Sequence, residues 1–326
     1  MDSTTTPAYA PPAPPTAPAP PVVAPQPKKR GWLIALIVVG ALVLFGCIGS
    51  VFLLASFEGG GSVALGDSIA LIHLDGVIAG TGSTMDGVIT PEAFIDQLDQ
   101  AEADDSVKAI LIRADSPGGT VAASQECAMA IERVEKPVVV SVGDMCASGA
   151  YMVASQCDEI IAAPGSSVGS IGVIMEIPNV SGLLDKVGVE FTILSEGEYK
   201  DAGSPYRSIT NTESAMFKEQ MKMAYDQFIA DVATGRDMDE ADVRELATGW
   251  VWLGTEAKEL GLIDSLGNYS DAVDRAAELG GIEGEPGIVT FEPEYRFEDL
   301  ALSLFGLITN SPAPDAASLE RMSLPR

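Results

Sequence analysis

Histidine is almost missing from this chain: His73 is the only one among 326 residues. Cysteine is scarce too, with Cys47, Cys127, Cys146 and Cys157 and no C-x-x-C pair. Zinc sites built from His and Cys clusters are therefore excluded, and neither a metal nor a cofactor is expected. Cys47 falls in an apolar stretch, and the other three allow at most one bridge, so small buried thiols are the simpler reading. Nothing beside Cys146 suggests thiolate activation. Basic residues are also few, 19 Lys plus Arg against 47 Asp plus Glu, for a net charge of −28. The imbalance is uneven. Residues 1–30 carry +2, residues 31–57 carry no charge, and residues 58–326 hold −30. Such a domain is not built to neutralise phosphates, which excludes nucleic acid as a partner. Anionic lipid headgroups would repel it as well.

What is present is organised in blocks. Residues 1–30 are rich in Pro, Ala and Thr, lack apolar periodicity and end in Lys28-Lys29-Arg30. They read as a disordered tail. Residues 31–57 form an uncharged apolar run whose only polar side chains besides Cys47 are Ser50 and Ser56. A helix of that length spans about 40 Å, enough to cross a hydrocarbon core of ~30 Å with tilt. The apolar core of a cleaved signal peptide is only ~7–15 residues long, so the run is read as one uncleaved transmembrane helix. The basic cluster before it and Glu58 after it place the tail in the cytoplasm and the remainder on the extracytoplasmic side of the cell membrane. Residues 58–66, with Gly59-Gly60-Gly61-Ser62, are a flexible linker. Residues 67–292 form one domain. Residues 293–326 are a C-terminal extension that returns to Pro, Ala and Ser from Ser311 and is partly disordered.

Inside the domain, strand and helix patterns alternate. Strand patterns cover 68–74, 107–113, 137–142, 159–163 and 189–194, and helical patterns cover 91–103, 124–133, 148–155, a turn at 183–187, 212–233, 239–248 and 271–279. This predicts an α/β fold with a mostly parallel sheet of right-handed βαβ units and reactive loops at the C-terminal ends of strands. The 212–233 helix sets Met216, Phe217, Met221, Ala224, Phe228 and Val232 at helical spacing, a stripe suited to core packing or to contact between copies.

Three loops draw attention. Asp115-Ser116-Pro117-Gly118-Gly119 follows the 107–113 strand, and its paired glycines suit an oxyanion hole or simply a turn. Cys146-Ala147-Ser148-Gly149-Ala150 joins a strand to a helix, where Ser148 is either a nucleophile or an ordinary N-cap. The third loop, from Glu196 to Arg207, carries Lys200. A nucleophilic serine needs a base. His73 falls within an alternating strand, which argues for a structural role, although triads occur in several chain orders. The other bases are carboxylates or a lysine, and a lysine serves when burial disfavours its charged form. Lys200, among glycines and aromatics, is the best candidate; a surface lysine without a role is the alternative.

Four motifs taken together resemble a known family. Ser116-Pro117-Gly118-Gly119, Cys146-Ala147-Ser148-Gly149-Ala150-Tyr151, Val168-Gly169-Ser170-Ile171-Gly172-Val173 and Gly197-Glu198-Tyr199-Lys200-Asp201 with Ser204-Pro205-Tyr206-Arg207 are similar to those of signal peptide peptidase A in its short single-repeat form. The stretch from Trp252 to Asp264 resembles the helix and turn shared by the wider Clp-protease/crotonase fold. The resemblance implies that fold, with repeated ββα/βαβ units, and a Ser/Lys peptidase working through an acyl-enzyme. It implies Ser148 as nucleophile, Lys200 as general base, Ser170 as the residue orienting the lysine, and Gly118, Gly119 and Gly149 as the oxyanion-hole glycines. It further implies spent signal peptides as substrates and a ring-like homo-oligomer in which the serine of one copy meets the lysine of the next. Ala150 stands where the family commonly has Gly, and Met152 where it has a second Tyr, departures expected to reshape the substrate groove. Competing classes are a Ser/Lys membrane protease with a dedicated protein substrate, a crotonase-type acyl-CoA enzyme and a catalytically inactive membrane scaffold.

Overall fold

The computed structural model describes residues 66–82 and 87–292. The expected tail (1–30), transmembrane helix (31–57), nearly all of the linker (58–66) and the C-terminal extension (293–326) lie outside the described residues. Among the described residues no helix is long and apolar enough to cross a membrane.

The described elements run β1 (Ser68–Ile78), β2 (Val88–Ile89), α1 (Pro91–Ala103), β3 (Val107–Gly119), α2 (Val121–Ile131), β4 (Val138–Ala147), α3 (Gly149–Ala154), β5 (Glu159–Ala162) and β6 (Ser167–Gly169). They continue with α4 (Ser181–Val187), α5 (Asn211–Gly235), α6 (Glu240–Leu246), β7 (Val251–Leu253), α7 (Gly254–Glu259), β8 (Ser265–Leu266), α8 (Tyr269–Leu279) and β9 (Gly287–Phe291). The strands join one sheet in the order β2-β1-β3-β4-β5-β8, with β9 on β1, β6 on β4, and β7 on β6. Every described pairing is parallel except β6 with β7. The fold is therefore mixed α/β with a mostly parallel sheet.

Both faces of the sheet are covered, which is why its strands read as unbroken apolar runs. In β1, Ala70, Ile72 and Leu74 enter the larger core, while Ile69 and Leu71 enter the smaller one. β4 repeats the alternation, with Val138, Val140 and Val142 on one side and Val139 on the other. The larger core is closed by α1, α2, α3 and the C-terminal half of α5, and the smaller by Ala272, Ala276 and Ala277 of α8. Each fully buried Val or Ile contributes about 1.5–3 kcal/mol of burial free energy.

Two differences from the sequence reading bear on the site. β3 does not stop at Arg113 but pairs through Gly119, setting Val77 against Gly118 and Ile78 against Gly119. Buried Ser116 makes this possible: its hydroxyl donates to Gly76 O at 2.6 Å and accepts from the Gly118 N–H at 3.1 Å. The 189–194 segment, expected as a strand, has no regular structure and is exposed throughout. Its β-branched and aromatic residues carry the propensity, but the segment pairs with no strand among the described residues.

Candidate active site

Ser148 sits between β4 and α3 with φ 51° and ψ −123°. Holding a non-glycine residue at such a backbone costs about 1–3 kcal/mol and requires neighbours that enforce it. They are evident. Ala147 pairs with Gly169 across β4 and β6, and the Ser148 N–H donates to Gly169 O at 2.7 Å. Ser148 O accepts from the Met152 N–H at 3.0 Å, and all six residues of α3 are buried. Tyr151 at the centre of α3 donates its hydroxyl to Leu262 O at 2.8 Å. The core thus fixes the corner and leaves Ser148 itself half-buried.

Ser170 repeats the device one strand over, with φ 53°. Its N–H donates to Trp250 O at 2.9 Å and its hydroxyl to Gly249 O at 3.3 Å. Because Ala147 stands opposite Gly169, the register makes Ser148 and Ser170 neighbours, and both line a cleft of about 580 Å³. Val173, Ile174, Met221 and Tyr225 supply its apolar walls, and Lys218 and Lys222 are its only charged groups among the described residues.

The three expected glycines crowd the same corner. A Cβ on Gly118 would stand 2.4 Å from Gly149 N and 2.9 Å from Ser148 Cβ, and Gly118 has φ +88°. A Cβ on Gly149 would meet Ser124 Oγ at 2.0 Å and Gly119 N at 3.2 Å. The amides of Gly119 and Gly149 therefore lie close together beside Ser148. Gly149 opens α3, so its N–H has no intrahelical acceptor. The Gly118 N–H, by contrast, is engaged by Ser116 Oγ.

Lys200 is placed differently. It does not line the cleft, is exposed rather than desolvated, and its ammonium has no hydrogen-bond or ion-pair partner among the described residues. Its neighbour Asp201 is held firmly: Arg207 Nε donates to Asp201 Oδ2 at 2.8 Å, and the same guanidinium donates to both Glu213 carboxylate oxygens at 2.5 and 2.9 Å. Glu213, 4% exposed, also accepts from the Thr210 N–H at 2.8 Å and closes the capping box of α5. The Arg207 hydrogen bonds, then the Thr210 amide, hold the Glu213 carboxyl down at about 2, and Arg207 likewise lowers Asp201. The Lys200 turn is thus tied by a polar clamp to the start of α5.

His73 lies in β1 and does not line the cleft, with Nδ1 3.1 Å from Asp75 Oδ2. Cys127, Cys146 and Cys157 are free and buried, and burial pushes the Cys127 and Cys146 thiols up to about 12. Ala150 and Met152 are buried in the core and do not line the cleft, so neither departure reshapes its wall directly.

The sequence matches the model of Peptidase family S49 over residues 130–283. A protein of Methanocaldococcus jannaschii, provisionally named a protease, is 36% identical over 288 residues, covering 86% of this chain and 90% of that one. The chain belongs to peptidase family S49. A provisionally named signal peptide peptidase SppA of Enterococcus faecium is 36% identical over 63% of this chain and 62% of its own length. Protease 4 of Haemophilus influenzae is 31% identical over 72% of this chain but only 38% of its own. This S49 domain is an SppA-like serine peptidase built on a mixed α/β fold with a mostly parallel sheet. Sequence reasoning about the S49 site missed the Arg207–Glu213 clamp and the two cleft lysines. Thr210-Asn211-Thr212-Glu213 carried a capping-box signal for the first, whereas nothing in the α5 stripe marked Lys218 and Lys222 as cleft residues.

Proposed function

We propose that this S49 peptidase is a membrane-anchored endopeptidase that degrades cleaved signal peptides and similar apolar peptides. Ser148 attacks the scissile carbonyl, and the base is Lys200 supplied by a neighbouring copy in a homo-oligomer. The observation that carries this reading is the strained, core-locked Ser148 beside Ser170 in an apolar cleft that Lys200 of the same chain does not line. Exposed Leu183, Val187, Phe191 and Leu194 lie in the same stretch of chain as Lys200 and give the copies an apolar surface to share. The anchor rests on residues 31–57 of the sequence, with the catalytic domain on the extracytoplasmic side.

In this mechanism the neutral Lys200 amine takes the Ser148 proton as Oγ bonds to the carbonyl carbon, with Ser170 orienting the amine. The amides of Gly119 and Gly149 stabilise the oxyanion, while Gly118 lets the backbone pass close to Gly149. The proton then passes to the leaving amine, and a water deprotonated by the same lysine hydrolyses the ester. Because only the neutral amine works, kcat/KM climbs with pH. The test is fluorophosphonate labelling of the full chain. Labelling lost in Ser148→Ala supports the reading, whereas undiminished labelling in that variant sinks it. Comparing peptides that accumulate with and without the active protein separates signal-peptide remnants from one dedicated protein substrate.

A further inference from the structure

The Ser148 cleft contains two cations that the proposed chemistry does not use. Lys218 and Lys222 stand one turn apart on α5 and both line the cleft, where no acidic residue among the described ones joins them. Lys222 is tied to Asp226, which also holds Arg244 at 2.8 Å. Lys218 has no hydrogen-bond or ion-pair partner among the described residues. An unneutralised ammonium is notable where residues 58–326 carry −30. It lies beside the apolar surfaces of Val173, Ile174 and Met221, in the same cleft as the nucleophile.

We propose that Lys218 binds a carboxylate of the peptide substrate, so that the enzyme selects apolar peptides bearing an acidic group at one fixed distance from the scissile bond. This rests on Ser148 being the nucleophile. An N–H donated from an ammonium to a carboxylate is among the stronger hydrogen bonds, and because Lys218 is solvent-exposed its effect on substrate choice is modest rather than large. The rest of the domain is anionic and repels acidic peptides at longer range. Acidity therefore helps only where it reaches Lys218. The carboxylate comes either from an Asp or Glu side chain or from a free C-terminus, and the chemistry of recognition is the same.

The test uses the purified full chain and a fluorogenic apolar peptide. One arm moves a single Glu along the peptide against its Gln isostere. The other compares free-acid with amidated C-termini at several lengths. At one position or one length, kcat/KM should favour the acid about three- to tenfold, mainly through KM. In Lys218→Gln that ratio should fall to about one, and Lys218→Glu should instead favour a Lys at the same position. The responding arm identifies the source of the carboxylate. The proposal is overturned if no position or length favours the acid, or if the ratio survives undiminished in Lys218→Gln. Hydrolysis by Ser148→Ala at the wild-type rate would instead overturn the nucleophile assignment beneath it.

Discussion

Between Ser68 and Ile171 the strands bury nearly every apolar side chain, whereas between residues 172 and 227 the only buried side chain is Glu213. The first region places Ser148 by packing: a ladder partner, a buried helix and a hydroxyl-to-carbonyl tie. The second places the Lys200 turn by charge, through Arg207 between Asp201 and Glu213, and leaves Ile174 81% and Leu194 92% exposed. Packing of the first kind completes itself within one chain. A surface of the second kind is finished by something outside it, which under the proposed function is another copy.

The most severe way to break this contrast is to remove one chemical group from each region. Ser148→Ala and Lys200→Ala should each lower kcat/KM at least about a thousandfold while circular dichroism stays unchanged. Co-expressed with different tags and purified as mixed oligomers, the two dead variants should regain activity. Verified mixed oligomers that stay inactive would confine both residues to one protomer.

A smaller loss is expected from loosening the clamp. Arg207→Gln should lower kcat about ten- to a hundredfold with little change in KM, because under the proposed function it misplaces the base rather than removing it. Arg207→Lys should fall between, keeping the charge but losing the two-pronged fork. Equal losses in kcat and binding would mark Arg207 as merely structural. The clamp also has a defined pH window. Both carboxyls are lowered in the folded state, so their contribution is complete above the ordinary carboxyl range of ~4–4.5. It is lost as pH falls, and for Glu213 that loss runs down through about 2. Hydrogen exchange at 197–207 should therefore be as protected at pH 5 as at pH 7 after correction for intrinsic rates.

Stability should divide along the same line. Ile160→Ala, in the larger core, should destabilise the domain by about 2–5 kcal/mol in urea. Leu194→Ala should change that value by less than ~0.5 kcal/mol and instead weaken self-association in sedimentation. An equal effect of both on unfolding would erase the distinction. The smallest effect belongs to His73→Gln, which should leave kcat/KM within about twofold, since the ring is exposed and does not line the cleft.

The packed region was the more legible in the sequence. Runs such as Val138–Val142 bury on alternating faces, and α1 spans the stretch from Pro91 to Ala103 that its periodicity marked. Ser148 stood out because a strand, small residues and a helix met there. The 189–194 misreading arose because propensity reports what a segment could pair, and pairing needs an edge. The α5 stripe was half understood: Phe228 and Val232 enter the core, while Met221 turns to the cleft and Met216 to solvent. The clamp eluded sequence reasoning because three charges within a turn-rich stretch do not reveal their partners until the chain folds back.

The outer edge of β1 has a further consequence, for how the protein is made. Val77 and Ile78 are covered by β2, but among the described residues Ser68–Ile72 are covered on that edge only by β9, from Gly287 to Phe291. Roughly 200 residues separate these partners, about ten to forty seconds of synthesis at ~5–20 residues per second. Throughout that interval an apolar strand presents unpaired amides and carbonyls to any neighbouring nascent chain. β9 is therefore a closing cover, and a chain cut short before Gly287 should be lost to aggregation before its chemistry is ever tested.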